Sequence, residues 1–339
     1  MWKGLWRLAV PVVAASAITT GRPAPAAAQA FEMLGTRAQG AGGAFVALAD
    51  DATAVYWNPA GLATGPFFSL VVDRSQVETG APEEARSDGL AGSGANAGAA
   101  RYVSTVVAGA SLPVGVSYYR LESFESGPSP GDGRRSLRAL VTDHVGLTLV
   151  QSVGRVLTVA ATPRYVRGSA GDGEAEPGDA DPLDAAERLA RRDTSAFDLD
   201  VGALAVFGRA RVGLVVRNVV APDFETPDGT EVEMPRQVRA GAAFTPSDRL
   251  VLALDVDLTR TPSLAGDRRM VAGGAEAWWG RRRVGLRGGF RASTLGEARP
   301  AGSLGGSVGV FRGFWVDAQV TRGGDRADRG WSLAGRVGF

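Results

Sequence analysis

Side chains equipped for covalent or metal chemistry are scarce in this chain. Its 339 residues include no cysteine, which removes disulfides, thiolate metal sites and a cysteine nucleophile together. The single histidine, His144, stands beside Asp143, but no motif places a nucleophile for it to activate. It reads as a polar wall residue of a strand, and the chain as a non-enzyme. The acidic run from Asp172 to Asp179 raises calcium by composition, yet it lacks the fixed ligand spacing of an EF-hand loop, so no metal and no other cofactor is expected. A net charge of +1 without a basic tail argues against a nucleic-acid partner. What remains is a set of charges at alternate positions: Asp198 and Asp200, Arg211 and Arg217, Arg239, Asp255 and Asp257, Glu276, Arg283, Arg287 and Arg291, Asp317, and Arg336. Their signs change between neighbouring segments. Such a set can pair across adjacent strands, a structural role in which each charge offsets the burial cost of the next.

The elements that must position these charges are strands with one apolar face. Leu250, Leu252, Leu254, Val256 and Leu258 alternate with Val251, Ala253, Asp255, Asp257 and Thr259, and Trp331, Leu333, Gly335, Val337 and Phe339 alternate with Ser332, Ala334, Arg336 and Gly338. Fourteen such segments can be placed, near 66–77, 100–111, 113–123, 137–151, 155–168, 195–207, 210–219, 236–245, 249–260, 268–279, 282–292, 302–311, 313–322 and 330–339. Tight turns fall near Leu112-Pro113, Val153-Gly154, Gly208-Arg209, Pro246 to Asp248, Gly280-Arg281 and Arg312, whereas 78–99, 124–136, 169–194 and 220–235 are long links. Short turns at one end and long loops at the other, with apolar faces toward lipid and charges toward a lumen, specify an all-β, antiparallel transmembrane barrel of about fourteen strands. Phe207, Phe244, Trp278, Trp279, Phe311, Phe314 and Phe339 lie beside the short turns and are expected to form an aromatic girdle at the periplasmic edge. In the longest link, Asp181 and Pro182 are expected to start a helix with Asp184/Arg188 and Glu187/Arg191 ion pairs, either a lid over the mouth or a solvated loop helix.

One stretch is no strand. From Leu34 to Ala63, glycines at 35, 40, 42, 43 and 61 alternate with small alanines, and β-branched residues are nearly absent. Asp50 is expected to cap one short helical turn, and Asn58 with Pro59 a second, the two joined by Tyr56 and Trp57. So compact a segment cannot bury a core alone, and something must surround it. Gly35, Arg37, Ala38, Gly40, Gly42, Gly43, Ala44 and Phe45, followed by Ala49, Asp50, Asp51, Ala52 and then Asn58, Pro59, Ala60, Gly61 and Leu62, resemble the N-terminal signature of the FadL-like outer-membrane proteins, including the PorV/PorQ branch. That resemblance implies a fourteen-stranded barrel whose N-terminal segment folds inward as a plug. Glycine-rich backbone between Gly35 and Gly43 can pack on the inner wall and still move, so the segment is expected to gate or seal the barrel, the alternative being a rigid filler needed for folding. The resemblance also implies one of two roles. The first is uptake of hydrophobic small molecules, fatty-acid-like or aromatic; the second is a PorV-like docking component that holds secreted cargo or a secretion system and transports nothing.

The ends of the chain supply an address. Lys3 and Arg7, an apolar run from Leu8 to Ile18 and the small residues Ala28-Gln29-Ala30 read as a secretory signal peptide cleaved after Ala30. The expected organisation is a signal peptide over 1–30, a plug over 31–65 and a barrel over 66–339, resident in the outer membrane of a Gram-negative-type bacterium. The terminal Phe339 resembles the signal read by barrel-assembly machinery, a further expected partner beside outer-membrane lipid.

Overall fold

The computed structural model describes residues 29–80, 98–129, 134–175, 181–296, 298–324 and 328–339. The signal-peptide expectation thus lies almost wholly outside the described residues. Fourteen antiparallel strands close into a barrel. They are β1 (Phe68–Gly80), β2 (Ala99–Ser111), β3 (Val114–Pro128), β4 (Arg135–Val153), β5 (Leu157–Ala175), β6 (Arg192–Phe207), β7 (Ala210–Arg217), β10 (Gln237–Ser247), β11 (Leu250–Asp257), β12 (Met270–Trp279), β13 (Val284–Ser293), β14 (Ala301–Phe311), β15 (Phe314–Gly323) and β16 (Arg329–Gly338). Two further strands, β8 (Asp223–Glu225) and β9 (Glu231–Glu233), form a separate hairpin in the link between β7 and β10. Each barrel strand pairs with its chain neighbour, and β1 pairs with β16 to close the ring. No edge is left open, which is what a sheet crossing hydrocarbon needs, since every unpaired N–H or C=O there lacks water.

The alternation sorts as the pattern dictates. Leu252, Leu254, Val256, Leu286, Phe290, Leu304, Val308 and Leu333 stand exposed on the outer surface, while Asp255, Asp257, Glu276, Arg287, Arg291 and Asp317 are buried inside. A one-residue slip would exchange these two sets, so lipid on one side and ion pairs on the other fix the register. At the short-turn end Phe68 stacks on Phe339 and Phe311 on Phe314, with ring centroids 5.0 and 4.9 Å apart. Phe207, Phe244 and Trp279 are exposed there as the girdle requires, but Trp278 is not part of it. It points inward, because Trp278 and Trp279 are adjacent and a strand sends successive side chains to opposite faces.

Inside the ring lies the segment from Gln29 to Pro66. Its helical pieces are α1 (Phe31–Met33), α2 (Thr36–Gly40), α3 (Ala54–Trp57) and α4 (Pro59–Thr64), of which α1 and α4 are 3-10 helices. Sequence reasoning expected two turns joined by Tyr56 and Trp57; there are four, and both aromatics lie within α3. Asn58 caps α4 as expected, its Oδ1 accepting the Ala60 N–H at 3.2 Å with Pro59 at the first position. Asp50 caps nothing. The carboxylate that serves the start of α3 is Asp51, whose Oδ1 accepts the Thr53 N–H at 2.9 Å, while Asp50 is held elsewhere.

Candidate functional site: the plugged lumen

The plug is fastened by carboxylates and guanidinia whose partners lie far away in the chain. Arg37 donates from Nη1 to Asp50 and Asp51 at 2.7 Å each, and from Nη2 and Nε to the two oxygens of Glu276 at 2.8 and 3.1 Å. It thus joins both ends of the plug to β12 through a bidentate fork that only arginine can make. Asp73 of β1 accepts the backbone N–H and the hydroxyl of Thr36 at 2.7 and 2.6 Å. Asp255 accepts the N–H groups of Phe45 and Val46 at 2.8 and 2.9 Å. Asn58 donates to the carbonyls of Val46 and Ala203 at 3.0 and 3.1 Å, which ties plug to plug and plug to β6. Glu32 pairs with Arg239, which also binds Asp257 and lies 4.2 Å over the Phe31 ring.

Close approach of backbones makes this fit possible. Gly42 sits at φ 71°, and a Cβ there would lie 2.6 Å from the Phe290 nitrogen; at Gly61 it would lie 2.1 Å from the Ala49 carbonyl oxygen. No larger residue fits either place without moving the wall or the plug.

A second buried cluster sits across the lumen. Arg164 of β5 donates to Tyr119 Oη at 2.6 Å and pairs with Asp200, Asp198 and Asn218. Arg217 lies 3.5 Å over the Tyr56 ring, and His144, stacked 4.4 Å from Tyr119, shares a 2.8 Å bond with Thr142. His144 is therefore a wall residue facing the lumen. Of the charges expected inside, Asp198, Asp200, Arg217, Arg239, Asp255, Asp257, Glu276, Arg287, Arg291 and Asp317 are buried there. Arg211 reaches Thr64 of the plug at 3.3 Å, and Arg336 binds Asp317 at 3.1 Å. Arg283 does not belong to the set: it is exposed in the turn before β13, one residue short of the strand whose alternation seemed to include it. Glu32, Asp73, Glu125, Arg138, Arg164 and Arg268 are among the inward charges that the sequence reading missed.

At the long-loop end two segments fold into the mouth. The hairpin β8–β9 lies against the inner wall, where Phe224, Val232 and Met234 pack on Leu140, Val166 and Ala170. The link between β11 and β12 crosses to the opposite wall, where Glu125 of β3 accepts from the Ser263 hydroxyl and the Leu264 N–H, each at 3.0 Å. Burial lifts the Glu125 carboxyl above its ordinary value, against the pull of the Leu264 N–H and of Arg138. The short helix α5 (Pro182–Glu187) is no lid over the mouth. It packs its Ala186 on Phe124, Leu137, Ala139 and Val141, the outer face of β3 and β4 beyond the lipid belt. Asp181 caps it through the Leu183 N–H at 2.8 Å as expected. Asp184 and Glu187 pair with Arg101 of β2 at 2.9 and 3.5 Å in place of the expected Arg188 and Arg191, because docking on the wall brings a cation that no solvated helix would meet.

Between these loops and the wall a cavity of about 190 Å³ opens, bordered by Ala265, Met270, Leu295 and Ala301 together with Arg268, Arg291 and Asp328. Arg268 and Met270 also border a narrow gap of about 10 Å³ that ends on Ala30 and Phe31 at the top of the plug.

Residues 92–257, just under half of the chain, match a family model described as F plasmid transfer operon, TraF, protein. No curated protein matches the chain. Among solved structures, the toluene transporter TbuX of Ralstonia pickettii matches with a TM-score of 0.61 at 15% identity, over 91% of this chain and 99% of that one. The CymD monoaromatic hydrocarbon channel matches with a TM-score of 0.59 at 15% identity, over 90% and 96%. A FadL homologue of Pseudomonas aeruginosa matches with a TM-score of 0.58 at 12% identity, over 94% and 99%. By fold the chain is therefore similar to these three proteins, its fourteen strands closed around its own N-terminal segment.

Proposed function

We propose that this barrel takes up small hydrophobic molecules, aromatic or fatty-acid-like, across the outer membrane, with the segment 31–65 as the seal that must shift for passage. The observation that carries the reading is the outer cavity. Its apolar lining of Ala265, Met270, Leu295 and Ala301 leads through Met270 and Arg268 to the gap above Phe31, so a captured molecule is delivered to the plug and not to a wall. The solved structures of like fold named as toluene transporters and a hydrocarbon channel support the same reading. Lumen charges paired among themselves leave no wide aqueous pore, which suits a carrier of apolar molecules better than a porin. The test is uptake of radiolabelled toluene and oleate by cells that have this chain as their one barrel of the fold. Uptake above the empty background is expected, reduced severalfold by Met270→Arg, which fills the cavity with a charge. Equal uptake with and without the protein removes the reading.

A docking role in protein secretion draws support from one observation, the match of residues 92–257 to a plasmid-transfer family. It predicts no uptake of either compound and co-purification of a stoichiometric protein partner from the same cells.

A further inference from the structure

The outward face of the barrel carries one contact that strand pairing alone does not explain. Across β15 and β16 the register sets Arg322 directly opposite Arg329. Arg322 follows Val320 and Arg329 precedes Trp331 on the exposed faces of their strands, so both cations point away from the lumen. Like charges directly opposite on a ladder destabilise it. The neighbours do not remove the conflict. Glu78 of β1, next in the same row, binds Arg329 at 2.8 Å, but it is shared with Arg101 of β2 at 2.9 Å. Asp328 turns inward, its Oδ1 accepting the Gly80 N–H at 3.2 Å. On its other side Arg322 faces Gly302 of β14, which brings no side chain at all. Arg322 is exposed and makes no hydrogen bond or ion pair with any described residue, and beside it 61% of the Arg329 side chain is exposed. Both guanidinium groups thus stand open to the surroundings, with positive charge in excess.

Height selects what those surroundings are. In the next outward row toward the short turns, Val320 opposes Trp331, with Leu304 beside Val320 and Leu333 beyond Trp331, all of them exposed. Such a surface belongs against hydrocarbon, and tryptophan at its upper limit is the side chain that prefers the membrane–water boundary. Arg322 and Arg329 are the first charges above that limit, at the level of lipid head groups on the long-loop side. A neutral head group would leave both cations unmatched, whereas a phosphate monoester brings three strong acceptor oxygens and a charge of about −1.5 to −2, which guanidinium binds at two points. A free anion would gain nothing from the apolar row beneath. We propose that Arg322 and Arg329 together hold the phosphate of a lipid in the leaflet on the long-loop side, its acyl chain lying along Leu304, Val320 and Trp331. The proposal shares with the channel reading the placement of the barrel in a membrane, and not the passage of any molecule.

The experiment is native mass spectrometry of the full chain in detergent, with dipalmitoyl phosphatidic acid and the matching diacylglycerol, which lacks only the phosphate, added in turn. One tightly held phosphatidic acid is expected, and no diacylglycerol at the same concentration. Arg322→Gln and Arg329→Gln should each weaken that binding about fivefold, the worth of one cation near an anionic membrane surface. Arg260→Gln should not, because that arginine is exposed at the same end but paired with Asp267 at 3.1 Å. Unaltered affinity in both Arg322→Gln and Arg329→Gln, an equal loss in Arg260→Gln, or equal binding of diacylglycerol overturns the proposal. So does displacement of the lipid by an equimolar amount of inorganic phosphate, which would mark a site for the free anion. The heat-dependent gel shift reports whether each variant is folded, and the lipid pair tests the unaltered protein whatever the variants do. Toluene uptake is read separately: uptake with no preference for phosphatidic acid removes the lipid site and leaves the channel, and the preference without uptake does the reverse.

Discussion

At the scale of single residues, Arg37 connects more of the molecule than any other plug side chain described above. Three carboxylates converge on it, and it is itself buried, so its removal strands Asp51 and Glu276 in a water-poor interior. Breaking a buried pair on one side costs about 3–5 kcal/mol because the surviving charge loses its partner. Arg37→Met should lower the stability of the folded barrel by about that amount, read as the urea midpoint of its heat-dependent gel shift. Arg37→Lys should recover only part, since an ammonium cannot bind Glu276 at two points. A loss below about 0.5 kcal/mol, the range of ordinary surface substitutions, would show that the network is solvated. Both halves of this pair were legible in the sequence, Arg37 from the glycine-rich motif and Glu276 from its alternating strand. Their meeting was not, because 239 residues separate them. Arg164 stayed hidden for a different reason. On β5 it shares one face with Thr162 and Val166, while Arg167 sits on the other, so period-2 reading finds a charge on each side and cannot choose.

At the scale of elements, the link between β11 and β12 is held to β3 by Glu125, and the raised carboxyl pKa gives that contact a pH dependence. The closed arrangement favours the protonated acid over the ordinary value of 4.5 for a free glutamate. Its contribution is therefore fully present below pH 4.5 and is lost as pH rises through the raised value. Hydrogen exchange at the Leu264 amide should quicken across that window in the native chain, and the pH dependence should vanish in Glu125→Gln. A rate that slows as pH rises there, after correction for intrinsic exchange, would reverse the sign and reject the account. The strands that frame this link were readable to within a few residues, because each must keep an apolar face toward lipid over its whole crossing. The hairpin β8–β9 was not found: its strands are three residues each, too short for alternation to register. Thr226-Pro227-Asp228-Gly229 between them is the turn chemistry that marks it.

At the scale of the whole molecule, lumen and plug pack into one interior rather than forming a tube with a stopper. Asp255 faces inward as its strand pattern requires, but only 1% of it is exposed, since Phe45 and Val46 cover it. A water-soluble maleimide should therefore leave Asp255→Cys untouched in the intact protein, while a lipid-soluble reagent modifies Leu254→Cys on the outer face. Deletion of 35–50 should expose the first site to the water-soluble reagent within minutes. Labelling of Asp255→Cys in the intact protein at the rate seen after deletion would mean that the plug does not seal this level of the lumen.

Ring closure between the first and last strands has a consequence for the order of assembly. Arg37, Glu32 and Gln39 precede every strand, yet Glu276, Arg239 and Gln319, their partners, belong to β12, β10 and β15. A nascent chain carries its plug with nothing for it to bind. Only when the final hairpins arrive does a complete socket exist, so seating of the plug proofreads the completed ring. Pulse proteolysis during refolding into detergent should accordingly find 29–65 cleavable until β16 has joined β1, and protected from that moment on. A chain truncated before β15 should never acquire the protection, however long it is left to fold.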